Sequence, residues 1–389
     1  MDSTGVGGRR HRTAALVLAV IALVAVVRLP SFVRELFDPD EAAIAAQAIA
    51  VRDGGTLYVD AVDRKPPLPS LIYAVSFDVT GSTDLRPLHG LVAAGLVGAA
   101  LVLAFDARRR WGEAAAWWAA GLTVLGAVAF FPVDAQAANF AHFALFPGAA
   151  AIVWSRRGRP GWALAGGVAL GVAVLCRQSW FVGIVPGVVG TLFAPPPGAA
   201  AGDDEVPRPW RARIRDAVLF VLGAVGAVAA IGLVVPFSDF WRWTFTNNGG
   251  FVTAGAALGA TLGRFGATVG TFVAFHLPLV AMVFAAAWDR LRAWRAWRLD
   301  LDLWLWLAVG LVSVVAGFRF FGHYWLQALP PAVLLATPVA IRLSRRLRPW
   351  AVGLTALPAV VCVVFAFVPG AFRTLPDPGP LSRRPSPSP

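Results

Sequence analysis

The sequence predicts an all-α integral membrane protein of about 11 transmembrane helices, and three observations predict it. The 389 residues are 58% hydrophobic and only 14% charged, with a mean hydropathy of +0.67, whereas soluble domains carry about 25% charged residues. Apolar stretches of roughly 18 residues, each able to cross a bilayer core of about 30 Å, recur along the whole length. Arginines gather in short clusters between those stretches, the pattern that sets orientation in a membrane. In a soluble protein the net charge of +12 would suggest a nucleic-acid partner. Here topology accounts for it, and no nucleic acid is expected.

Backbone inside lipid must satisfy its own hydrogen bonds, so each apolar stretch is read as a helix. The first, 14–33, follows Arg9, Arg10 and Arg12 as in a signal peptide. It runs into Val27-Arg28-Leu29-Pro30 rather than a small-residue cleavage site, so it reads as an uncleaved anchor. The others are 86–105, 113–131, 137–154, 160–176, 178–194, 216–236, 266–287, 301–317, 325–341 and 350–368. Tryptophans 111, 154, 210, 288 and 350 mark span ends, as interfacial anchors do. Cys176 and Cys362 lie in or beside apolar spans and imply neither a disulfide nor a metal site.

Orientation follows from six basic clusters, which begin at Arg9, Arg108, Arg156, Arg208, Arg290 and Arg342 and hold 21 of the 34 basic residues. With 11 spans and a cytoplasmic N-terminus, all six face the cytoplasm. Segment 66–80 is too short for a comfortable crossing and contains Asp78; counting it would put five clusters outside. It therefore lies on or dips into the outer surface. The expected organisation is a cytoplasmic tail 1–13, then an N-terminal module 14–194 with the external loop 34–85. A cytoplasmic linker 195–215 leads to a C-terminal module 216–368 with the external loop 237–265. The proline-rich tail 369–389 is expected to be disordered. A multi-pass plasma-membrane protein in contact with membrane lipids is implied.

The external loop 34–85 carries the chemistry. In Asp38-Pro39-Asp40-Glu41, Asp38 suits an N-cap, Pro39 the first helical position and Glu41 the far side of a capping box. That leaves Asp40 without a capping task at the start of an almost wholly apolar helix. A carboxylate at such a boundary is desolvated enough to act as a general base, although the pattern alone also allows an ordinary helix-start acid. Lys65 is the one lysine in the chain, with Arg64 before it and Pro66 and Pro67 after it. A compact ammonium fixed at headgroup level suits a phosphate arriving from the bilayer. Asp134, at the outer end of the third span, is either an N-cap for a helix beginning near Ala135 or a second acid orienting a sugar or acceptor. Arg242, Asn247, Arg319, His323, Tyr324 and Gln327 lie on external segments that can line the same cavity. His89, His142 and His276 read as hydrogen-bonded packing residues. The sequence has no clustered zinc ligands, glycine-rich phosphate loop or nucleophile elbow.

An Asp-Glu pair heading a helix in the first external loop, then Lys-Pro-Pro, then an acid at the outer end of the third span resembles the GT-C superfamily. These are polyprenyl-phosphate-dependent glycosyltransferases, and the likeness is to the aminoarabinose transferase and protein O-mannosyltransferase branch. It covers residues 1–195 and continues as a span pattern with the turn from Tyr324 to Leu329-Pro330-Pro331. The resemblance implies that Asp40 is the catalytic aspartate, Glu41 its partner, Asp134 the second acid and Lys65 the cation that holds the lipid phosphate. It implies an inverting transfer from a polyprenyl-phosphate-linked sugar to a glycan, lipid or protein acceptor on the outer face. Some relatives hold a metal with an acid just before the lysine and a loop histidine. Arg64 stands at that position and the loop 237–265 has no histidine, so no metal is expected. The rival class is a transporter or lipid flippase. Ion-coupled carriers keep ionisable groups near the midplane, whereas these span middles carry no Asp, Glu, Lys or Arg.

Overall fold

The computed structural model describes residues 4–34, 36–193, 208–247, 258–292, 300–315, 320–347 and 349–368. Those residues are nearly all helical, with one isolated bridge between Leu57 and Ala61 and no strand among them. The principal helices are α1 (Thr4–Val27), α2 (Pro39–Arg52), α3 (Leu68–Thr80), α4 (Arg86–Trp111), α5 (Glu113–Val128), α6 (Phe140–Ser155) and α7 (Pro160–Cys176). They continue as α8 (Ile184–Phe193), α9 (Trp210–Ala230), α10 (Leu258–Phe275), α11 (Leu277–Arg292), α12 (Leu301–Val315), α13 (Leu329–Leu347) and α14 (Pro349–Phe367). Among the described residues, four helices are long and apolar enough to cross a membrane, or five if one bent pair counts as a single span. The other apolar helices are shorter, such as the 16 residues of α5 and of α6.

The bent pair corrects the sequence reading of one continuous span over 266–287. Helices α10 and α11 meet at 91° around His276. The histidine ring bridges the break, with Nε2 2.9 Å from the Gly126 carbonyl and Nδ1 3.1 Å from the Phe272 carbonyl. It also stacks on the Phe272 ring. Hydropathy sees composition and not direction, so an apolar stretch bent at a right angle reads as one span. Within segment 66–80, α3 has 13 residues, about 20 Å of helix, and packs against α2.

Lipid offers no hydrophobic drive for helix pairing, so close van der Waals contact must supply it. Small residues provide that contact. The α7–α9 pair has the closest approach: a Cβ on Gly167 would lie 2.0 Å from the Phe220 carbonyl oxygen, and one on Gly223 2.6 Å from that of Leu164. The main core is likewise rich in alanine, with Ala99, Ala100, Ala104, Ala116 and Ala119 fully buried around Leu103, Ile152 and Trp306.

One polar cluster interrupts this packing. At the basic-cluster ends of α4, α6 and α12, Arg110 and Arg156 bridge Asp106 and Asp302. Arg110 pairs with Asp106 at 3.0 Å and Asp302 at 3.2 Å, and Arg156 pairs with Asp106 at 3.0 Å and with Asp302. Helix α6 begins at the candidate site and ends at this cluster, so the two lie about 24 Å apart along one rod.

Candidate active site

The first loop folds as its capping pattern dictates. Asp38 accepts the Asp40 N–H at 2.9 Å, and Glu41 Oε2 accepts the N–H groups of Phe37 and Asp38 at 2.7 and 3.1 Å. Glu41 does more than cap. Its Oε1 accepts the Ala138 N–H at 2.6 Å, joining the first loop to the segment after α5. His89 Nε2 lies 3.5 Å from the same oxygen, and both side chains are fully buried. Glu41 therefore has no surface with which to touch a substrate. Asp40 contrasts with it: half-buried, its carboxylate has no hydrogen-bond or ion-pair partner among the described residues.

Burial pushes the Glu41 carboxyl up to about 7, against the pull of its three N–H donors. Its ordinary value is 4.5, so the unfolded chain loses this proton first. The stabilising contribution is complete below 4.5 and is lost as pH rises to about 7. Glu41→Gln cannot ionise. The melting temperature of the variant minus that of wild type should therefore rise between pH 5 and pH 7.5; a difference independent of pH would refute this account. Asp38 is also raised, first by burial and then by Asp40 beside it, while His323 opposes the shift.

The second acidic segment is stitched to the first. Arg28 donates to the carbonyls of Ala135 and Gln136, Ser31 donates to the Gln136 side chain at 2.6 Å, and Tyr73 donates to the Ala138 carbonyl at 2.7 Å. Asn139 caps α6 through the Ala141 N–H and donates its amide to Asp38 at 3.1 Å. The cap is thus Asn139, which corrects the reading of Asp134 as an N-cap; Asp134 lies inside the short helix Pro132–Ala135. Its carboxylate instead accepts the His323 N–H at 3.1 Å and sits 2.7 Å from His323 Nδ1. Gly322 permits this approach, since a Cβ there would lie 2.5 Å from Asp134 Oδ2. Asp134 also lines a cavity of about 290 Å³ walled by Phe130, Phe131, Phe272, Phe321 and Trp325.

Lys65 reaches the same place from the far end of the loop. Tyr58 donates to its carbonyl at 2.9 Å and holds a φ of 70°, a strained value for a bulky residue. Gln47 ties the start of the turn to α2 and α3, donating to Asp63 at 2.9 Å and accepting from Ser70 at 2.6 Å. The Lys65 ammonium lies 5.0 Å from the centroid of the Phe140 ring. Phe140 directly follows Asn139, the partner of Asp38. One helix start thus holds Asp38 through one residue and lies under the lysine through the next.

Tyr324 is also present: its ring lies 3.8 Å from the guanidinium carbon of Arg177, and its centroid is 5.0 Å from that of His323. The sequence reading missed Arg177, although its own topology would put this arginine outside, against the orientation bias. It also missed Arg28 and Asn139, whose roles depend on contacts across the fold, while His89, read as a packing residue, is buried against Glu41. Arg64 donates its N–H to Asp63 and accepts from Gln178 at 3.3 Å. Arg242, in a short exposed helical segment, pairs with Asp239 at 3.0 Å, and the Asn247 side chain is exposed. No contact joins either to the acids or to Lys65 among the described residues. Arg319 lies outside the described residues. Among the described residues no three His, Cys, Asp or Glu side chains are grouped to hold a metal ion.

No protein-family model matches the chain, and no curated protein matches it in sequence. Solved structures do. ArnT from Cupriavidus metallidurans, bound to undecaprenyl phosphate, superimposes with a TM-score of 0.60 at 21% identity over 90% of this chain. The Archaeoglobus fulgidus oligosaccharyltransferase in complex with Zn and sulfate gives 0.57 at 13% identity over 90% of the chain. AglB from the same organism, in complex with an inhibitory peptide and a dolichol-phosphate, gives 0.56 at 13% identity over 91%. The chain spans 63%, 52% and 56% of the lengths of those three proteins. The chain shares the fold of these three solved structures.

Proposed function

We propose that this protein is an inverting glycosyltransferase, moving a sugar from a polyprenyl-phosphate donor to a hydroxyl of a glycan, lipid or protein acceptor. The reaction takes place on the outer face of the plasma membrane, and the N-terminus is cytoplasmic. In this reading the helices cross the bilayer about 11 times, with α10 and α11 forming one broken crossing. The observation that supports the reading is that the start of α6 touches both ends of the loop that carries Asp40 and Lys65. Asn139 holds the Asp38 side of the acid pair and Phe140 underlies Lys65 at 5.0 Å. An apolar groove of about 470 Å³, lined by Leu68, Leu71, Ile72, Val75 and Leu91, begins three residues beyond Lys65 and suits a prenyl tail.

The chemistry follows from the placement. Asp40 takes the proton of the acceptor hydroxyl, whose oxygen attacks the anomeric carbon. The bond from that carbon to the phosphate oxygen breaks on the opposite side, and its electron pair leaves with the lipid phosphate. Lys65 stabilises the departing charge. General-base help contributes about 10²–10⁴-fold, and orientation of donor and acceptor supplies the rest. Asp134, braced by His323, orients the acceptor or sugar, while Glu41 positions Asp40 through the helix cap. Arg64 and Tyr324 complete the proposed donor side, while Arg242 and Asn247, which touch neither the acids nor Lys65, are left out of it.

The direct test is mass spectrometry of envelope glycans from cells lacking the protein. We expect one glycosyl addition to disappear and to return with the wild-type chain; unchanged glycans would reject the reading. For Lys65→Ala, the affinity for a polyprenyl phosphate should fall about tenfold or more, the worth of one charge-assisted hydrogen bond, without loss of the folded state. Unaltered affinity would remove Lys65 from the phosphate site.

A further inference from the structure

Arg177 lies between α7 and the 3₁₀ turn Gln178–Gly183, with 7% of its surface exposed. Burying a guanidinium costs free energy unless it is paired, yet no carboxylate stands within ion-pair distance of it among the described residues. Its orientation is nevertheless fixed. Nε donates to Ser179 Oγ at 3.0 Å, Ser179 Oγ donates to Gln327 Oε1 at 2.8 Å, and Gln327 Nε2 donates back to the Ser179 carbonyl at 3.0 Å. Tyr324 covers one face of the guanidinium at 3.8 Å. These contacts use Nε and one face only. The two terminal nitrogens have no hydrogen-bond partner among the described residues. Asp40 is near enough to act on Arg177 electrostatically, and Gln178 donates to the Arg64 carbonyl, bringing this turn against the loop that carries Lys65.

We propose that Arg177 is the second cation of the phosphate site, reserved for the charge that the phosphate acquires as it leaves. This rests on the function proposed above. A sugar phosphodiester carries one negative charge. When the bond to the anomeric carbon breaks, both electrons stay on the phosphate oxygen, and the resulting monoester carries about −1.5 to −2 at neutral pH. One ammonium suits the diester, while an ammonium and a guanidinium together suit the monoester. A contact stronger to the departing phosphate than to the bound donor accelerates the reaction rather than merely tightening binding. The planar fork can hold two phosphate oxygens at once, and its held Nε presets that geometry.

The test compares two ligands on one preparation of the full chain in nanodiscs: a polyprenyl monophosphate and its methyl phosphodiester, with inorganic phosphate as competitor. Wild type should prefer the monoester. Arg177→Ala should lose about tenfold on the monoester and less than about twofold on the diester, whereas Lys65→Ala should weaken both. Arg177→Gln, which can still reach Ser179, gives the same reading if the alanine variant does not fold. Equal losses on both ligands would mean a structural role, and an unchanged ratio would mean no role; either overturns the assignment. So would inorganic phosphate competing as well as the lipid. If wild type binds neither lipid, the proposed function fails and takes this inference with it. If Lys65→Ala weakens both while Arg177 variants keep the ratio, only the Arg177 assignment falls.

Discussion

Asp40→Asn should lower sugar transfer by about 10²–10⁴-fold, the usual worth of a general base, while leaving the protein folded and its donor affinity within about twofold. The expectation rests on the division of labour within Asp38-Pro39-Asp40-Glu41. Asp38 and Glu41 are consumed by the cap and by the links to Asn139 and Ala138. The Asp40 side chain makes none of those contacts, so its amide has little structure to disturb. It also cannot accept the acceptor proton. Glu41→Ala should differ in kind, because it strips three backbone N–H groups of their acceptor and loosens both acidic segments together. Complementing a deletion strain with Asp40→Asn and measuring envelope glycans separates the cases. Full rescue by Asn would end the general-base assignment, and loss of the folded protein would end the claim that Asp40 is spared structural work.

Asp302→Ala should be the most damaging single change away from the site. Asp302 is 5% exposed and shared between Arg110 and Arg156. Without it, the buried Arg156 and the half-buried Arg110 guanidinium groups are left with Asp106 as their ion-pair partner. Breaking a buried pair from one side costs about 3–5 kcal/mol, because the remaining charge stays desolvated. Replacing Asp302 and Arg156 together by leucine and methionine should recover most of that loss, since an apolar pair of similar volume carries no desolvation penalty. Thermal unfolding of the three proteins in one detergent decides it. A loss below about 1 kcal/mol for the single change, the range of an exposed pair, would show that water reaches the cluster. Donor binding by folded Asp302→Ala should match wild type, because α6 separates the cluster from the site by about 24 Å.

What the sequence determined by itself was local or compositional. Hydropathy gave the helical membrane class, and the Asp38–Glu41 spacing gave a capping box realised bond for bond, because capping depends only on residues three apart. The short reach of 66–80 gave a helix of only 13 residues. Asp40 stood out for lack of a capping task, and Lys65 for being the one lysine of the chain. Each property can be read along a line.

The tertiary structure decided what depends on through-space partners. The break at His276 is set by carbonyls 4 and 150 residues away in sequence, which no window of hydropathy sees. Asp134 turned from helix cap to partner of His323 because Gly322 brings a distant turn against it. Arg177 drew no reading from the sequence; Tyr324, Ser179 and Gln327 fix its guanidinium, with Asp40 near enough to act on it electrostatically. Residue types and order announce which groups can hold charge. Only folding determines which of those charges remain unneutralised at the same point, because neutralisation is a matter of distance, and distance across a bundle is not written in the spacing of residues.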